Sequence, residues 1–307
     1  MEKVLKGKPI ALAINKVSKT LIAEYSLQPK MLLIQVGEDP ASSFYVQSII
    51  SSAAKLGAEA ELLTLSIETS EQELLATIHA ANVDPHIHGI MLQKPLPQGM
   101  DDAKINMSIE PNKDIDALHP LNLGKILMDE DGFLPNTPAA VFYTLKYYGI
   151  DPQGKNLVIL GRSNVVGKPL ANMLLWKKPS ANATVTVCHS RTANLKEICR
   201  NADILIAAIG KARYVDASMV KAGSILIDVG INEEKGEDSS SVYVGDIDYN
   251  ACYDKALAIT PVPGGIGRIT TSLLYLNLIK AALIAKKVNK RVDEYIDMIF
   301  SENQKKQ

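Results

Sequence analysis

The sequence predicts an α/β protein of two domains, and three observations carry that expectation. The chain has 307 residues, about the size at which a single hydrophobic core gives way to two. Short apolar runs alternate with helical patterns in two separate blocks, as parallel βαβ units require. A long apolar helical stretch near the C-terminus leaves the second block and can return to the first.

In the first block, "PKMLLIQVGED" (residues 29–39) is an apolar run ending in Gly and acids, as a buried strand does. "AEAELLTLS" (58–66) is a second strand and "HGIMLQKPLP" (88–97) a third, stopped by its prolines. Helical patterns fill 8–25, 43–56 and 70–82. A connecting helix over 137–148 has Thr137 as N-cap, Pro138 in its first turn and Gly149 at its end. The second block offers four apolar strands, at 155–161, 183–189, 202–210 and 224–230, with helices between them, which predicts a Rossmann-like sheet. The polar stretch 232–241 is a loose hairpin or loop, and 271–288 is the returning helix. The domains expected are therefore 1–140 with 272–307, and 141–271.

Composition narrows the function. With 33 basic and 34 acidic side chains the formal net charge is −1, which gives no electrostatic case for nucleic acid or an anionic membrane surface. No run of about 18 apolar residues predicts a transmembrane helix, and the N-terminus has no secretory core. Cys188, Cys199 and Cys252 lack metal or disulfide spacing and fit reduced thiols in a cytoplasm. His86 and His88 form an HxH pair with no evident third ligand, so no metal site is expected.

Four segments could carry chemistry. In "LVILGRSNVVGKPLANML" (157–174) a strand ends at Gly161 and a helix begins near Gly167, the context for a nucleotide phosphate at a helix N-terminus. The spacing is not GxGxxG, and a strand-helix turn needing glycine explains it equally well. The next strand ends in "CHSRT" (188–192), where an NAD site usually places an acid. Ser190, Arg191 and Thr192, with Arg162 nearby, are donors that suit a 2'-phosphate, so NADP is favoured over NAD. The alternative is a solvated surface charge at Arg191. "ITPVPGGIGRITTSL" (259–273) is a glycine-rich loop that lets a ligand approach the backbone. In "PNKDIDALHPLN" (111–122), Asp114 and Asp116 share a face if the segment is extended, and a carboxylate there could accept from an amino-pyrimidine edge. Taken alone, the same pair reads better as a solvated acidic turn.

Together these segments resemble the bifunctional methylenetetrahydrofolate dehydrogenase/methenyltetrahydrofolate cyclohydrolase family. The likeness runs in order through "SSFYV" (42–46), "GIMLQKPLP" (89–97), "KDIDALHPLNLGK" (113–125), "GRSNVVGKP" (161–169), "VCHSRT" (187–192), "ADILIAAIGK" (202–211), "IDVGIN" (227–232), "GDID" (245–248) and "TPVPGGIGRIT" (260–270). It implies two α/β domains with a folate cleft between them, the C-terminal helix on the first domain, and a homodimer. Carried over by position, Tyr45, Gln93 and Asp116 are the catalytic candidates: Tyr45 to orient the folate, Gln93 near the reacting carbon, Asp116 on the pterin. Ile49, Pro263, Gly264 and Gly265 would line the folate side. Gly161, Arg162, Ser163, Ser190, Arg191 and Ile231 would contact NADP.

The chain departs from the family pattern at a telling place. The family has Tyr, three residues, then a catalytic lysine; here the lysine position is Ile49. Lys94, Ala117, Asn136 and Arg268 stand where Leu, Gly, Cys and Pro are usual. Hydride transfer is largely positioning, whereas opening the methenyl ring needs proton transfers. Loss of a positioned acid/base group typically costs roughly 100- to 10,000-fold. Lys94 should point away from Gln93 on a strand, and Lys55 lies off the Tyr45 face; Ser52 shares that face and could place a water. The expectation is an NADP-dependent methylenetetrahydrofolate dehydrogenase with impaired cyclohydrolase activity. The alternatives are a catalytically silent folate- or nucleotide-binding paralogue, or a dehydrogenase of another substrate with Arg268 pairing a carboxylate.

Overall fold

The computed structural model describes residues 2–37, 40–235, 241–288 and 292–304, with 40–45 and 303–304 described by backbone alone. In chain order the elements are α1 (Gly7–Glu24), β1 (Lys30–Val36), α2 (Pro40–Leu56), β2 (Glu59–Leu65), α3 (Glu71–Val83), β3 (Gly89–Leu92), α4 (Asp102–Ser108), α5 (Pro120–Met128) and α6 (Asn136–Tyr147). There follow β4 (Asn156–Leu160), α7 (Gly167–Leu175), β5 (Thr184–Cys188), α8 (Leu195–Arg200), β6 (Ile204–Ala207), β7 (Ile225–Asp228), β8 (Asn232–Lys235), β9 (Ser241–Val244), α9 (Tyr249–Tyr253), β10 (Ala258–Ile259), α10 (Thr270–Ala285) and α11 (Val292–Gln304). They divide into two compact units. One comprises Met1–Leu12, Ile126–Asp131 and Pro135–Thr270; the other comprises Ala13–Lys125, Gly132–Leu134 and Thr271–Gln307.

The second of these units is built on a parallel three-stranded sheet in the order β2-β1-β3. Central β1 is buried along nearly its whole length, which is why its sequence is continuously apolar rather than alternating. Edge strand β2 alternates, and its Glu59 and Glu61 hold Lys30 at 2.8 and 2.9 Å. A Cβ on Gly89 would lie 2.6 Å from Ile115 Cγ2 and 3.0 Å from Leu278, so only glycine lets α10 and the 115 turn approach β3 this closely. Helix α10 is apolar nearly all round, as a core helix must be. The Tyr275 hydroxyl donates to the Ile49 carbonyl at 2.6 Å, and Asn277 Nδ2 donates to the carbonyls of Ile115 (2.9 Å) and Leu134 (3.0 Å). The returning helix is thus tied to the first block by polar anchors as well as apolar burial.

The other unit holds a parallel five-stranded sheet in the order β10-β7-β6-β4-β5. Strands β4, β6 and β7 are almost wholly buried, whereas β5 at the edge is partly exposed. The four strands expected from the sequence are present, and a two-residue fifth, β10, pairs with β7. Numbered within this unit the order is 2-1-3-4-5, one of the two common doubly wound patterns.

The structure departs from the local expectations in three places. Helix α6 begins at Asn136 with Pro135 as a cap that offers no side-chain bond, so Thr137 lies inside it. The first strand stops at Val36, where Gly37 turns at φ 77°; residues 38 and 39 lie outside the described residues. Of the two readings of stretch 232–241 the hairpin is present, as antiparallel β8 and β9, with residues 236–240 outside the described residues. The 111–122 segment is not extended: it is a run of turns leading into α5, and this separates its two aspartates. Asp114 is 2 % exposed and accepts from Leu118 N, His119 N and Asn122 Nδ2 at 3.2, 2.8 and 2.9 Å, a structural clamp on the start of α5, while Asp116 is half-buried.

Candidate functional site

The five-stranded sheet reverses direction at β4. The chain leaves β4 for edge strand β5, then crosses to β6 on the other side. In open parallel sheets a ligand crevice lies at such a reversal, beyond the carboxyl ends of the strands. Three loops meet there, because Gly161 N donates to Cys188 O at 2.9 Å and Ala208 N to Leu160 O at 2.8 Å. Gly161 has φ 140°, and a Cβ on it would collide with the Ala208 carbonyl oxygen; a Cβ on Gly167 would collide with the carbonyl oxygen of Gly161. Both positions admit glycine alone, because the three loops pack backbone against backbone there.

Donors surround this crevice. Ser163 Oγ accepts from Val166 N at 3.0 Å and Ser163 O from Lys168 N at 3.1 Å, which turns the chain into α7. The loop after β5 closes on itself: His189 N donates to Thr192 Oγ1 (2.9 Å) and Arg191 N to His189 Nδ1 (3.1 Å). Arg162, Ser163, Ser190 and Arg191 all remain exposed. Neither loop contains an acid. Two guanidinium groups, two hydroxyls and a glycine cradle fit a phosphorylated dinucleotide, and the missing acid at the end of β5 fits one with a 2'-phosphate.

A cavity of about 470 Å³ opens in the same unit, among Asp228, Ile231, Tyr243, the Pro263–Gly265 turn and Arg268. Gly264 has φ 109°, and its carbonyl accepts from Gly7 N at 2.8 Å. Ile231 is 61 % exposed, a large apolar side chain with a free face. Asp228 is 3 % exposed and accepts from Gly230 N, Asp246 N and Ile247 N at 3.0, 2.9 and 2.9 Å. Burial nevertheless outweighs those bonds and pushes its carboxyl up to about 7.

The other unit holds Tyr45, Ile49, Gln93 and Asp116. Tyr45 belongs to α2, its side chain outside the described residues. Ile49, one turn on, is 0 % exposed: an apolar side chain packed in a core. Gln93 follows β3, with its N–H on Ile34 O at 2.9 Å and its Nε2 on Lys94 O at 2.9 Å. Its Oε1 is buried without a donor among the described residues, a condition that costs about 1–3 kcal/mol and that an incoming N–H or O–H would relieve. Lys94 is engaged by Asp102 at 2.6 Å. The turn carrying Asp116 lies beside β3, because Ile90 N donates to Lys113 O at 2.8 Å. Ala117 in that turn is buried at φ 57°, a conformation glycine adopts freely and alanine does not.

Residues 5–116 match the model of the tetrahydrofolate dehydrogenase/cyclohydrolase catalytic domain, and residues 135–286 that of the NAD(P)-binding domain. The chain belongs to the tetrahydrofolate dehydrogenase/cyclohydrolase family. It is 43% identical over 286 residues to the bifunctional protein FolD of Chloroherpeton thalassium, covering 91% of this chain and 97% of that one. The crystal structure of the Campylobacter jejuni FolD methylenetetrahydrofolate dehydrogenase/cyclohydrolase is similar at a TM-score of 0.85 and 39% identity, over 91% of this chain and 98% of that one. The Trypanosoma brucei enzyme, complexed with NADP cofactor and inhibitor, is similar at 0.86 and 30%, over 94% and 100%.

Within the tetrahydrofolate dehydrogenase/cyclohydrolase framework, the structure groups the expected residues by unit. Gly161, Arg162, Ser163, Ser190 and Arg191 gather at one crevice, and Ile231, Pro263, Gly264 and Gly265 at one cavity. Gln93 and Asp116 lie on neighbouring segments of the other unit. Sequence reasoning assigned no role to Asp228 or Asp246. An aspartate closing the apolar strand "ILID" was the available signal, since a buried acid needs a reason. Among the described residues no group of three or more His, Cys, Asp or Glu side chains is placed to hold a metal, and no helix is long and apolar enough to cross a membrane.

Proposed function

We propose that this chain is an NADP-dependent 5,10-methylenetetrahydrofolate dehydrogenase of one-carbon metabolism whose methenyl cyclohydrolase step is weak. The observation that carries the proposal is a contrast: the crevice at the β4 reversal holds glycines and cationic donors, while Ile49 is a fully buried aliphatic group at the position where the resemblance implies lysine.

The bound dinucleotide would supply the hydride acceptor. Arg162, Ser163, Ser190 and Arg191 would hold its phosphates, and Ile231 would pack an apolar face against it. Tyr45 would orient the folate, Asp116 would accept from the pterin amino edge, and Gln93 would offer its unpartnered Oε1 near the reacting carbon. Pro263, Gly264 and Gly265 would give the folate a wall of one proline ring and bare backbone. Hydride transfer asks these groups to position and align. Hydrolysis asks for a proton donor and acceptor, which isoleucine cannot be. In this proposal residues 1–140 with 272–307 form the folate-binding domain and 141–271 the dinucleotide-binding domain, which also supplies the Pro263–Gly265 turn. The three free, buried cysteines support a reducing cytoplasmic setting, and the family resemblance supports a homodimer.

The test mixes purified protein with methylenetetrahydrofolate and NADP+, then with NAD+, following the reduced dinucleotide and the methenyl product by absorbance. NADPH with persistent methenyl product is the expected result. Fleeting methenyl product would overturn the assignment of Ile49. No reduction of either dinucleotide would favour a silent binding protein.

A further inference from the structure

The carboxylate of Asp246 is 0 % exposed and no cation is paired with it among the described residues. Four N–H donors satisfy it instead. Oδ2 accepts from the backbone of Ile209 at 2.7 Å and Gly210 at 2.9 Å. Oδ1 accepts from Lys211 N at 2.9 Å and from Asn232 Nδ2 at 2.9 Å. Three consecutive amides of one loop thus converge on one side chain from 35 to 37 residues away. That loop follows β6, beginning at Ala208, whose carbonyl oxygen sits where a Cβ on Gly161 would be. It is therefore one wall of the crevice at the strand reversal. Asn232 adjoins Ile231, so the same carboxylate also fixes the segment after β7.

The carboxylate is itself held in place. Asp228 accepts the backbone N–H of Asp246 through Oδ1, and Gly230 sits so close to the Asp246 carboxylate that any Cβ there would strike it. Charge-assisted bonds to a buried carboxylate are among the strongest available, and a site is only as exact as the residues that support its walls.

We propose that Asp246 is a positioning residue for the dinucleotide, setting the 209–211 loop and the 231–232 segment that flank its crevice. This rests on the cofactor assignment above. The diagnostic variant is Asp246→Asn. It keeps the shape but replaces one acceptor oxygen by an amide that faces N–H donors. Asn232→Ala, which removes one of the four bonds, is the milder companion.

The experiment measures direct NADP+ binding by titration calorimetry, KM for NADP+ and for the folate, kcat, and the urea midpoint for all three proteins. Asp246→Asn should weaken NADP+ binding at least tenfold and raise KM for NADP+ in parallel, with KM for the folate changed less than threefold. Asn232→Ala should fall between it and wild type. A purely structural role would instead lower the urea midpoint and leave NADP+ binding of the folded fraction unchanged, and that outcome overturns the proposal. If wild type binds NADP+ and both variants bind it equally well, the positioning role alone falls. If wild type binds neither NADP+ nor NAD+, the cofactor assignment falls and takes this proposal with it.

Discussion

The crevice at the β4 reversal and the core beneath α2 treat chemistry in opposite ways. At the crevice, sterics and hydrogen bonds fix the backbone: two glycines that accept no Cβ, a serine that turns the helix start, a carboxylate that gathers three amides. Beneath α2, Ile49 is simply well packed, its carbonyl capped by Tyr275 and its side chain wholly apolar. The first region has many ways to be damaged; the second, in the function proposed here, holds an aliphatic group where the resemblance implies a reactive one. If the proposal holds, the cofactor site and the acid/base site have diverged separately, because one depends on backbone shape and the other on a single side-chain terminus.

The sharpest way to break this comparison is Ile49→Lys. Restoring a titratable amine should raise methenyl hydrolysis by roughly 100-fold or more, read from the decay of methenyl absorbance. Dehydrogenation should change far less. Folding should weaken by about 1.5–3 kcal/mol of lost aliphatic burial, plus the cost of desolvating the amine. Unchanged hydrolysis in a folded variant would show that more than the lysine is missing. At the crevice, Gly161→Ala should weaken NADP+ binding at least 100-fold by titration, since the added methyl meets a backbone carbonyl rather than a flexible side chain. Equal binding would show that the three-loop junction is softer than its geometry implies.

Smaller effects sharpen the same contrast. Arg191→Ala should cut the preference for NADP+ over NAD+ by roughly tenfold, as loss of a charge-assisted bond of about 1.5–3 kcal/mol at an exposed site would, with binding of NAD+ itself preserved. Competing titrations at two salt concentrations check it. Asp228 supplies a pH prediction. Its folded carboxyl is raised by burial to about 7, so the folded state holds the proton more tightly than the unfolded chain does. Stability should therefore fall as pH rises from about 4 to about 7. Asp228→Asn removes that component, and urea midpoints at the two ends of the window should diverge less in the variant than in wild type.

Much of this was legible in one dimension. Burial on both faces makes β1, β4, β6 and β7 continuously apolar, so their positions could be read directly. β10 escaped because two residues carry no periodicity. The 111–122 segment misled because alternation suggests a strand only if the backbone is extended. Here Asp114 is consumed by the start of α5. Tyr45 lies on the expected helix, and its side chain is outside the described residues.

The sequence by itself determined the two-block α/β pattern, the glycines at 161 and 167, the cationic end of β5 and the absence of lysine at position 49. Each is a local property, set by side-chain period, backbone freedom or residue chemistry. Only the tertiary structure decided the 2-1-3-4-5 strand order, the meeting of Tyr275 with Ile49 and the convergence of three amides on Asp246. Those depend on which apolar faces close upon each other, and residues 35 or 226 positions apart become partners only after that closure.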